Sequence, residues 1–341
     1  MNKEFIKNKI IDTLSSKQIS YLAMKAIGRG VPIFMLHRTF PDSMHDKDQT
    51  PSYLKRCLHY LRENKYHFLS VDEIFETLQN GEKLPNKAVA FTIDDGFDDQ
   101  ASLAAPVFIE NDCPVTIFLV TGFINGELWP WFSQVEHLIQ NSLQPSISLN
   151  LNETIYTYSL NTEKEKSRAS QQILEIFKTS LWQNIPQLIQ HLSEQTKVNL
   201  PDSPPDNARA LTWDAARELE TDIVSFGAHT HTHPILSKTD DSQAAYEINH
   251  SWQIINEQLQ NPSKIFCYPN GQPNDYGNRE IELLKNSEML GALSTTPKQF
   301  ETTDISEDEY YRVPRYSLPG NFHNFKMYVS WIEYAKEKLR R

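Results

Sequence analysis

An apolar segment that delivers two adjacent carboxylates to a glycine turn is the strongest constraint in this 341-residue sequence. The segment runs from Phe91 to Phe97 and contains Asp94, Asp95 and Gly96. Asp-Asp-Gly after a strand is a common turn signal, because aspartate bonds its own backbone and glycine adopts a positive φ. Two charges at the end of an apolar strand nevertheless indicate that something uses them.

A second unusual segment places three histidines at alternate positions. His229, His231 and His233 follow the apolar residues 223–226 and precede Pro234. A single histidine on an apolar face is usually a packed core residue, but three within five residues that end at a proline favour metal binding. Carboxylate and imidazole together form a candidate site for a zinc-like ion.

Short β-rich runs alternate with helical patterns along the chain, which predicts an α/β fold with a parallel sheet or barrel. Residues 50–51 and the capping box at 70–73 each predict the start of a helix. Residues 242–260 and 277–288 have a helical apolar period. The β-rich runs are residues 31–36, 88–93, 115–120, 223–226, 265–268 and 290–294, with a weaker one at 311–313.

The stretch from about residue 126 to residue 210 does not follow this alternation. Trp129-Pro130-Trp131 begins it, polar amphipathic helical patterns fill it and a proline-rich segment at 201–205 ends it. We interpret it as a helical insertion between two barrel units. Its aromatic entrance lines a sugar-binding cleft or forms a hydrophobic seam with the barrel. The predicted division is an N-terminal helical segment at 1–30, a barrel domain at 31–320 and a C-terminal helix at 321–341.

Composition limits the classes of partner and compartment. The balance of 33 Lys and Arg against 44 Asp and Glu gives a net charge of −11, with no basic stripe for nucleic acid. Cys57, Cys113 and Cys267 have no CxxC spacing, which favours buried thiols in a reducing compartment. The N-terminus lacks the apolar core of a signal peptide, and no stretch approaches the ~20 residues of a membrane span. We expect a cytoplasmic protein whose residues 4–28 form amphipathic helices that pack on the domain or lie on a membrane surface.

Polar residues follow four of the predicted strands. His37 follows the first, Asp94 and Asp95 end the second, the histidine cluster follows the fourth, and Tyr-Pro-Asn-Gly at 268–271 follows the fifth. In parallel α/β folds functional residues gather at the carboxyl ends of the strands. We therefore expect these side chains to converge on one rim.

These motifs resemble those of polysaccharide deacetylases of the NodB-homology type, carbohydrate esterase family four. Residues 92–96 resemble the family's T-F-D-D-G motif, and residues 229–234 resemble its H-S/T-x-x-H-P motif. Trp213-Asp214 and residues 266–271 resemble the flanking W-x-x and F-x-Y-P-x-G segments. The resemblance covers about residues 31–320 apart from the insertion. It implies a distorted (β/α) barrel of about seven parallel strands.

The resemblance also implies a role for each motif residue. Asp94 is then the general base, and Asp95, His229 and His233 bind a divalent metal ion. Two histidines and one aspartate suit Zn²⁺, with Ni²⁺, Co²⁺ and Fe²⁺ as alternatives. Three protein ligands leave positions open for water and for the substrate carbonyl oxygen. His231 is expected behind the ligands or at the rim.

The sequence departs from the common family pattern at the general acid. The C-terminal L-x-L-H motif is absent after residue 290, where His323 is the only histidine. Residues 34–38, Phe-Met-Leu-His-Arg, resemble the L-M-Y-H-R segment of a circularly permuted branch typified by deacetylases of biofilm poly-N-acetylglucosamine. That resemblance implies His37 as the acid; a capping or packing histidine is the alternative.

A second departure is the arginine that many relatives place before the proline of the third motif. This chain has Phe266-Cys267-Tyr268 there. Arg312 or Arg315 is expected to reach the rim from the last strand and hold Asp94 ionised, or else to form a surface salt bridge. Tyr268 and Pro269 are expected beside the oxyanion, where a nearby backbone N–H would help to hold it.

The predicted reaction is hydrolysis of an acetamido group on an N-acetylhexosamine-containing glycan. An amide requires an activated water, oxyanion stabilisation and a proton for the departing nitrogen. One alternative is a deacetylase or deformylase of a small amide or cyclic imide, and another is a non-catalytic carbohydrate-binding protein. Whether the glycan is a polymer, a lipid-linked intermediate or a monosaccharide stays open.

Overall fold

The computed structural model describes residues 3–14, 19, 23, 30–44, 49–151 and 154–339. The strands are β1 (Ile33–Leu36), β2 (His67–Phe68), β3 (Ala88–Asp95), β4 (Val115–Leu119), β5 (Ser146–Leu151), β6 (Thr154–Ser159), β7 (Val224–Ala228), β8 (Ile265–Cys267), β9 (Gly291–Leu293) and β10 (Tyr316–Ser317). The α-helices are α1 (Lys3–Leu14), α2 (Pro51–Glu63), α3 (Val71–Gln79), α4 (Ala105–Glu110), α5 (Thr121–Ile124), α6 (Trp131–Gln140), α7 (Glu163–Lys178), α8 (Ile185–Thr196), α9 (Trp213–Leu219), α10 (Asp241–Gln258), α11 (Asn278–Lys285), α12 (Phe322–Val329) and α13 (Trp331–Leu339).

Seven parallel strands form the main sheet in the spatial order β10-β1-β3-β4-β7-β8-β9, and the short β2 pairs with β3 outside this path. The sheet curls into a partial barrel surrounded by helices, which confirms the predicted distorted (β/α) barrel. All eight residues of β3 are buried, because side chains cover both faces of this central strand. Asp95 pairs with Leu119, and Leu119 pairs with Ala228. His229 therefore lies one residue beyond the position of β7 that is in register with Asp95.

Helix α2 begins where the sequence predicts. The Thr50 side chain accepts a hydrogen bond from the Tyr53 N–H, and Pro51 occupies the first turn, where its missing N–H costs nothing. The buried face of α2 is Leu54, Cys57, Leu58 and Leu61. All three cysteines are buried and free, which confirms the prediction of buried thiols.

The weak strand predicted at residues 311–313 is wrong. Residues 307–312 form a 3₁₀ helix, because the Ser306 and Glu309 side chains and backbones cap each other and start a helical turn. Val313 makes a single bridge to Leu293, and Pro314 has no N–H with which to continue the ladder. The last strand is instead β10, which pairs with β1.

The insertion contains a hairpin that the sequence analysis missed. Strands β5 and β6 pair antiparallel and pack with α6, α7 and α8 around a hydrophobic cluster of their own, which includes Ile147, Leu149, Ile173 and Leu192. The alternation of Ile147 and Leu149 with polar residues is the β signal in this stretch. The insertion thus contains the predicted helices and, in addition, this hairpin.

Two helices, α12 and α13, occupy the C-terminal segment for which one helix was predicted. Helix α1 lies against α12, where the Asp12 carboxylate contacts His323 and Lys326. Much of the predicted N-terminal amphipathic region, residues 15–18, 20–22 and 24–28, lies outside the described residues. Within the described ranges, every helix is too short or too polar to cross a membrane.

The capping box of α3 gives a test of the fold. The Ser70 hydroxyl accepts a hydrogen bond from the Glu73 N–H at 3.0 Å, and Glu73 Oε2 accepts one from the Ser70 N–H at 2.6 Å. We expect Ser70→Ala to lower the free energy of unfolding by about 1 kcal/mol, whereas Ser70→Asp keeps the cap and costs almost nothing. Urea denaturation measures both, and equal losses would contradict the capping account.

Candidate active site

The carboxyl ends of β1, β3, β7 and β8 converge on one cleft of about 320 Å³. It brings together five of the predicted site residues, which lie far apart in sequence. Helices α6 and α7 of the insertion form part of its wall through Trp131, Phe132, Leu174 and Lys178. The predicted site residues that line the cleft are His37, Asp94, Asp95, His229 and His233.

Asp95, His229 and His233 form a compact buried group at the bottom of the cleft. Asp95 Oδ1 lies 3.6 Å from His229 Nε2 and 3.4 Å from His233 Nε2. One potential ligand atom from each residue lies within 4.8 Å of the others. Asp95 has φ +88° and His233 has φ +59°, a left-handed backbone that is uncommon outside glycine and is found in functional sites.

The surroundings of His229 favour one tautomer. Its Nδ1 lies 2.8 Å from the carbonyl oxygen of Cys267, which can only accept a hydrogen bond. The proton is therefore on Nδ1, and the Nε2 lone pair points toward Asp95. Burial lowers the pKa of His229 to about 4, so the ring is neutral at pH 7. A neutral imidazole oriented by a backbone carbonyl is what a metal ligand requires, so the donor set fits a divalent ion.

Asp94 is held by a fully buried arginine. Arg315 Nη1 donates to Asp94 Oδ1 and Arg315 Nη2 donates to Asp94 Oδ2, both at 2.8 Å. Burial by itself raises the pKa of Asp94, but the charge of Arg315 and its two hydrogen bonds outweigh burial and hold that pKa below its ordinary value. Asp94 is therefore ionised at neutral pH.

The structure thus brings one of the two candidate arginines to Asp94. Arg315 also donates to Thr92 Oγ1 at 2.8 Å and to the Ser294 carbonyl oxygen at 3.2 Å. Arg312 is exposed and donates to Asn278 Oδ1 at the start of α11. The expectation that Arg312 serves the rim is wrong, because the 3₁₀ helix at 307–312 turns it toward α11.

His37 lies at the mouth of the cleft. Its Nε2 is 4.0 Å from Asp94 Oδ2, and its side chain is 48% exposed. The buried Gln100 fixes its backbone, since Gln100 Nε2 donates to the His37 carbonyl oxygen at 2.6 Å and also contacts the Asp94 carbonyl oxygen. Asp99 holds the following residues through hydrogen bonds from the Thr39 N–H and the Arg38 side chain.

The sequence analysis missed Asp99 and Gln100, although both follow the Asp-Asp-Gly turn within five residues. His323 is the only histidine after residue 290. Its Nδ1 lies 3.0 Å from Asp12 Oδ1 on the surface between α1 and α12. It is not among the residues that line the cleft.

Contrary to the expectation from the sequence, neither Tyr268 nor Pro269 lines the cleft. The Tyr268 N–H donates to the Leu293 carbonyl oxygen at 3.2 Å, and the ring stacks in the core on Tyr276 with centroids 3.9 Å apart. The sheet ladder between β8 and β9 uses this N–H, so it is not available to an oxyanion. Asn270, with φ +59°, is the residue of this turn that faces the cleft.

His231 and the two tryptophans at the start of the insertion differ in their contacts with the group formed by Asp95, His229 and His233. His231 is buried and bonds elsewhere, with Nδ1 2.9 Å from Thr121 Oγ1 and Nε2 3.2 Å from Glu127 Oε2. Trp131 Nε1 donates to the His233 carbonyl oxygen at 3.2 Å, so this ring both lines the cleft and joins the insertion to the barrel. Trp129 is buried against His137.

Comparison with known proteins identifies the family and supports the fold. The sequence profile described as polysaccharide deacetylase matches residues 81–287. The Streptococcus pyogenes deacetylase PplD in complex with acetate is 17% identical, with a TM-score of 0.55 over 86% of this chain and 93% of its own. IcaB from Ammonifex degensii is 15% identical, with a TM-score of 0.57 over 90% and 98%. A de-N-acetylase from Aggregatibacter actinomycetemcomitans is 15% identical, with a TM-score of 0.52 over 86% and 99%.

No curated protein sequence matches this chain. At these identities the solved structures support the fold alone. The fold and the site define a (β/α)-barrel hydrolase with a buried carboxylate–histidine centre. The chain belongs to the polysaccharide deacetylase family, which confirms the prediction of a glycan deacetylase acting on carbon–nitrogen bonds. His37 and Arg315 lie outside the matched range, so only their geometry argues for their roles.

The Asp94–Arg315 pair makes a prediction about stability. Arg315→Leu leaves a buried carboxylate without its partner and should cost about 3–5 kcal/mol at pH 7. Arg312→Leu, which removes an exposed arginine, should cost less than about 1 kcal/mol. Urea unfolding compares the two variants, and a similar small loss in both would contradict the importance of the buried pair.

The loss in Arg315→Leu should shrink at low pH. In the parent protein the depressed pKa of Asp94 stabilises the fold above the ordinary value of 3.8, and this stability is lost as the pH falls. In the variant burial raises the pKa, so protonation relieves the penalty as the pH falls. A difference in stability that grows below pH 4 would contradict this sign.

Proposed function

We propose that this chain is a metal-dependent deacetylase that removes the acetyl group from an N-acetylhexosamine residue of a glycan. The observation that carries the proposal is the separation of two adjacent aspartates into different surroundings. Arg315 holds Asp94, whereas Asp95 faces two histidine Nε2 atoms. Asp94 also lies near His229 and Cys267, but Arg315 already bonds both of its carboxylate oxygens, so Asp95 is the carboxylate that we assign to the ligand group and Asp94 the one that we assign as the base.

Asp95, His229 and His233 would hold the ion. When bound, a divalent ion lowers the pKa of a water molecule to about 7 and polarises a carbonyl oxygen. Zn²⁺ is the expected ion for one carboxylate and two imidazoles, with Ni²⁺, Co²⁺ and Fe²⁺ as alternatives.

Asp94 would accept the proton of the attacking water. A carboxylate whose pKa is depressed is too weak a base for ordinary water, so it needs a water that has been acidified. This requirement explains why a tightly paired aspartate is useful only beside a metal ligand group. The bidentate contact with Arg315 also fixes the direction of the carboxylate.

His37 would donate a proton to the departing nitrogen. An amine leaves poorly without one, and His37 is a solvent-exposed imidazole of the cleft that lies 4.0 Å from Asp94. Gln100 and Asp99 hold its loop, so the ring keeps its distance from Asp94.

A glycan suits the cleft because the insertion supplies aromatic rings. Trp131 and Phe132 form an apolar wall, and rings of this kind stack on pyranose faces. Lys178, Gln272 and Thr295 supply polar groups for hydroxyl or acetamido oxygens. A non-catalytic binding protein would have no use for a carboxylate base beside a metal ligand group, and acetate release from chito-oligomers distinguishes it from an enzyme.

Loss of a metal ligand and loss of the base should have different consequences. His229→Ala or His233→Ala should abolish metal binding and nearly all activity, because two protein ligands leave the site open to competing water. Asp94→Asn should keep the metal while turnover falls by about 10² or more. Metal content by mass spectrometry and acetate release measure both quantities, with His59→Ala, an exposed histidine on α2, as the control.

Stoichiometric metal in either histidine variant would mean that the ligand assignment is wrong. Metal lost together with activity in Asp94→Asn would make Asp94 a ligand.

The acid assignment predicts a dependence on the leaving group. His37→Ala should lose about 10² or more in kcat on an N-acetyl glycan but far less on an activated acetate ester, since a phenolate leaves without a proton. The metal content should not change, and His323→Ala should behave like the parent protein. Equal losses on both substrates, or a selective amide defect in His323→Ala, would contradict the role of His37.

A further inference from the structure

The loop that carries two of the proposed ligands has an uncommon backbone. Between His229 and His233, Thr230 has φ +65°, and His233 itself has φ +59°. A β-branched residue rarely adopts a left-handed conformation, so the surroundings must hold the loop in place. Within the loop, the Thr230 hydroxyl accepts a hydrogen bond from the His233 N–H at 3.1 Å and donates one to the His229 carbonyl oxygen, but these bonds leave the His231 and Thr232 N–H groups to other partners.

A fully buried carboxylate on α10, that of Glu247, accepts hydrogen bonds from this loop. Glu247 Oε2 accepts hydrogen bonds from the His231 N–H and the Thr232 N–H, both at 2.8 Å. Glu247 Oε1 accepts one from the Thr232 hydroxyl at 2.5 Å and one from Gln243 Nε2 at 2.8 Å. Its side chain has 0% exposure. Four donors therefore converge on one carboxylate, and three of them belong to the loop.

The carboxylate of Glu247 is bound by neutral N–H and O–H donors and not by a cationic side chain. In the described part of the chain, no Lys or Arg lies within salt-bridge distance of Glu247, unlike the buried Asp94. Hydrogen bonds to a charged acceptor are about twice as strong as neutral ones, and the loop supplies most of them here. An amide at this position would offer one acceptor oxygen and would place its NH₂ group against the loop donors.

We infer that Glu247 is a positioning residue that preforms the metal-binding loop. This inference rests on the proposed function, because it takes His229 and His233 as the ligands. The carboxylate fixes residues 231 and 232, which lie between the two ligands, and so sets the distance and angle between the two rings. Among the described residues, Glu247 belongs to neither candidate ligand group, and His231 forms a second anchor for the loop through Thr121.

The test is the affinity of the protein for Zn²⁺, measured by competition with a chromophoric chelator. Glu247→Gln should raise the Zn²⁺ Kd about 10–100-fold, the usual cost of losing a group that orients a ligand. Glu333→Gln is the matched control, because Glu333 is a buried carboxylate on α13 that bonds Lys336 away from the cleft. Its Kd should stay within twofold of the parent value. Excess Zn²⁺ should restore most of the kcat of Glu247→Gln, since the base and acid are intact.

A second variant keeps the test decisive if Glu247→Gln does not fold. Thr232→Val removes only the hydroxyl donor, and it should weaken Zn²⁺ binding several-fold without loss of the fold. The inference is overturned if the Kd of the folded Glu247→Gln or Thr232→Val variant stays within twofold of the parent value. It is also overturned if Glu333→Gln weakens Zn²⁺ binding equally. A parent protein that binds none of Zn²⁺, Ni²⁺, Co²⁺ and Fe²⁺ would instead contradict the proposed function.

Discussion

The buried Arg315–Asp94 pair is the interaction on which both the barrel and the site depend. Arg315 precedes β10, at one end of the sheet, and contacts Thr92 and Asp94 on β3 and the carbonyl oxygen of Ser294 after β9, at the other end. One guanidinium therefore joins elements that are separated by more than 200 residues in sequence. Because both side chains are buried, removal of either charge would leave the other without a partner in the protein interior. The arginine is therefore difficult to replace.

The same pair constrains the chemistry. An arginine that keeps Asp94 ionised also makes it a poor base, so the site needs a second source of acidity for water. The adjacent Asp95, with its positive φ, turns away from the arginine toward His229 and His233. Neighbouring residues thus have different roles within one cleft, because Arg315 bonds both carboxylate oxygens of Asp94, whereas Asp95 faces the Nε2 atoms of His229 and His233. Glu247 and Gln100 hold the two loops that complete the cleft.

Sequence patterns predicted the features that depend on local order. The alternation of apolar runs with helical periods predicted the parallel sheet, and the Asp94 and His229 motifs predicted which strand ends meet. Features that depend on contacts between distant residues could not be predicted in this way. The choice of Arg315 over Arg312 depends on a 3₁₀ turn and on Pro314, and the loop contacts of Glu247 depend on how α10 packs. The β5–β6 hairpin had a local signal, the alternation at Ile147 and Leu149, which the polar helical patterns around it obscured.

The most direct test of the account is a titration of the metal-free protein with Zn²⁺ while acetate release from N-acetylglucosamine oligomers is followed. The account predicts that the stripped protein releases no acetate and that the rate rises linearly until one ion is bound per chain. Full activity of the stripped protein, or no acetate release with Zn²⁺, Ni²⁺, Co²⁺ or Fe²⁺ at saturation, would contradict it.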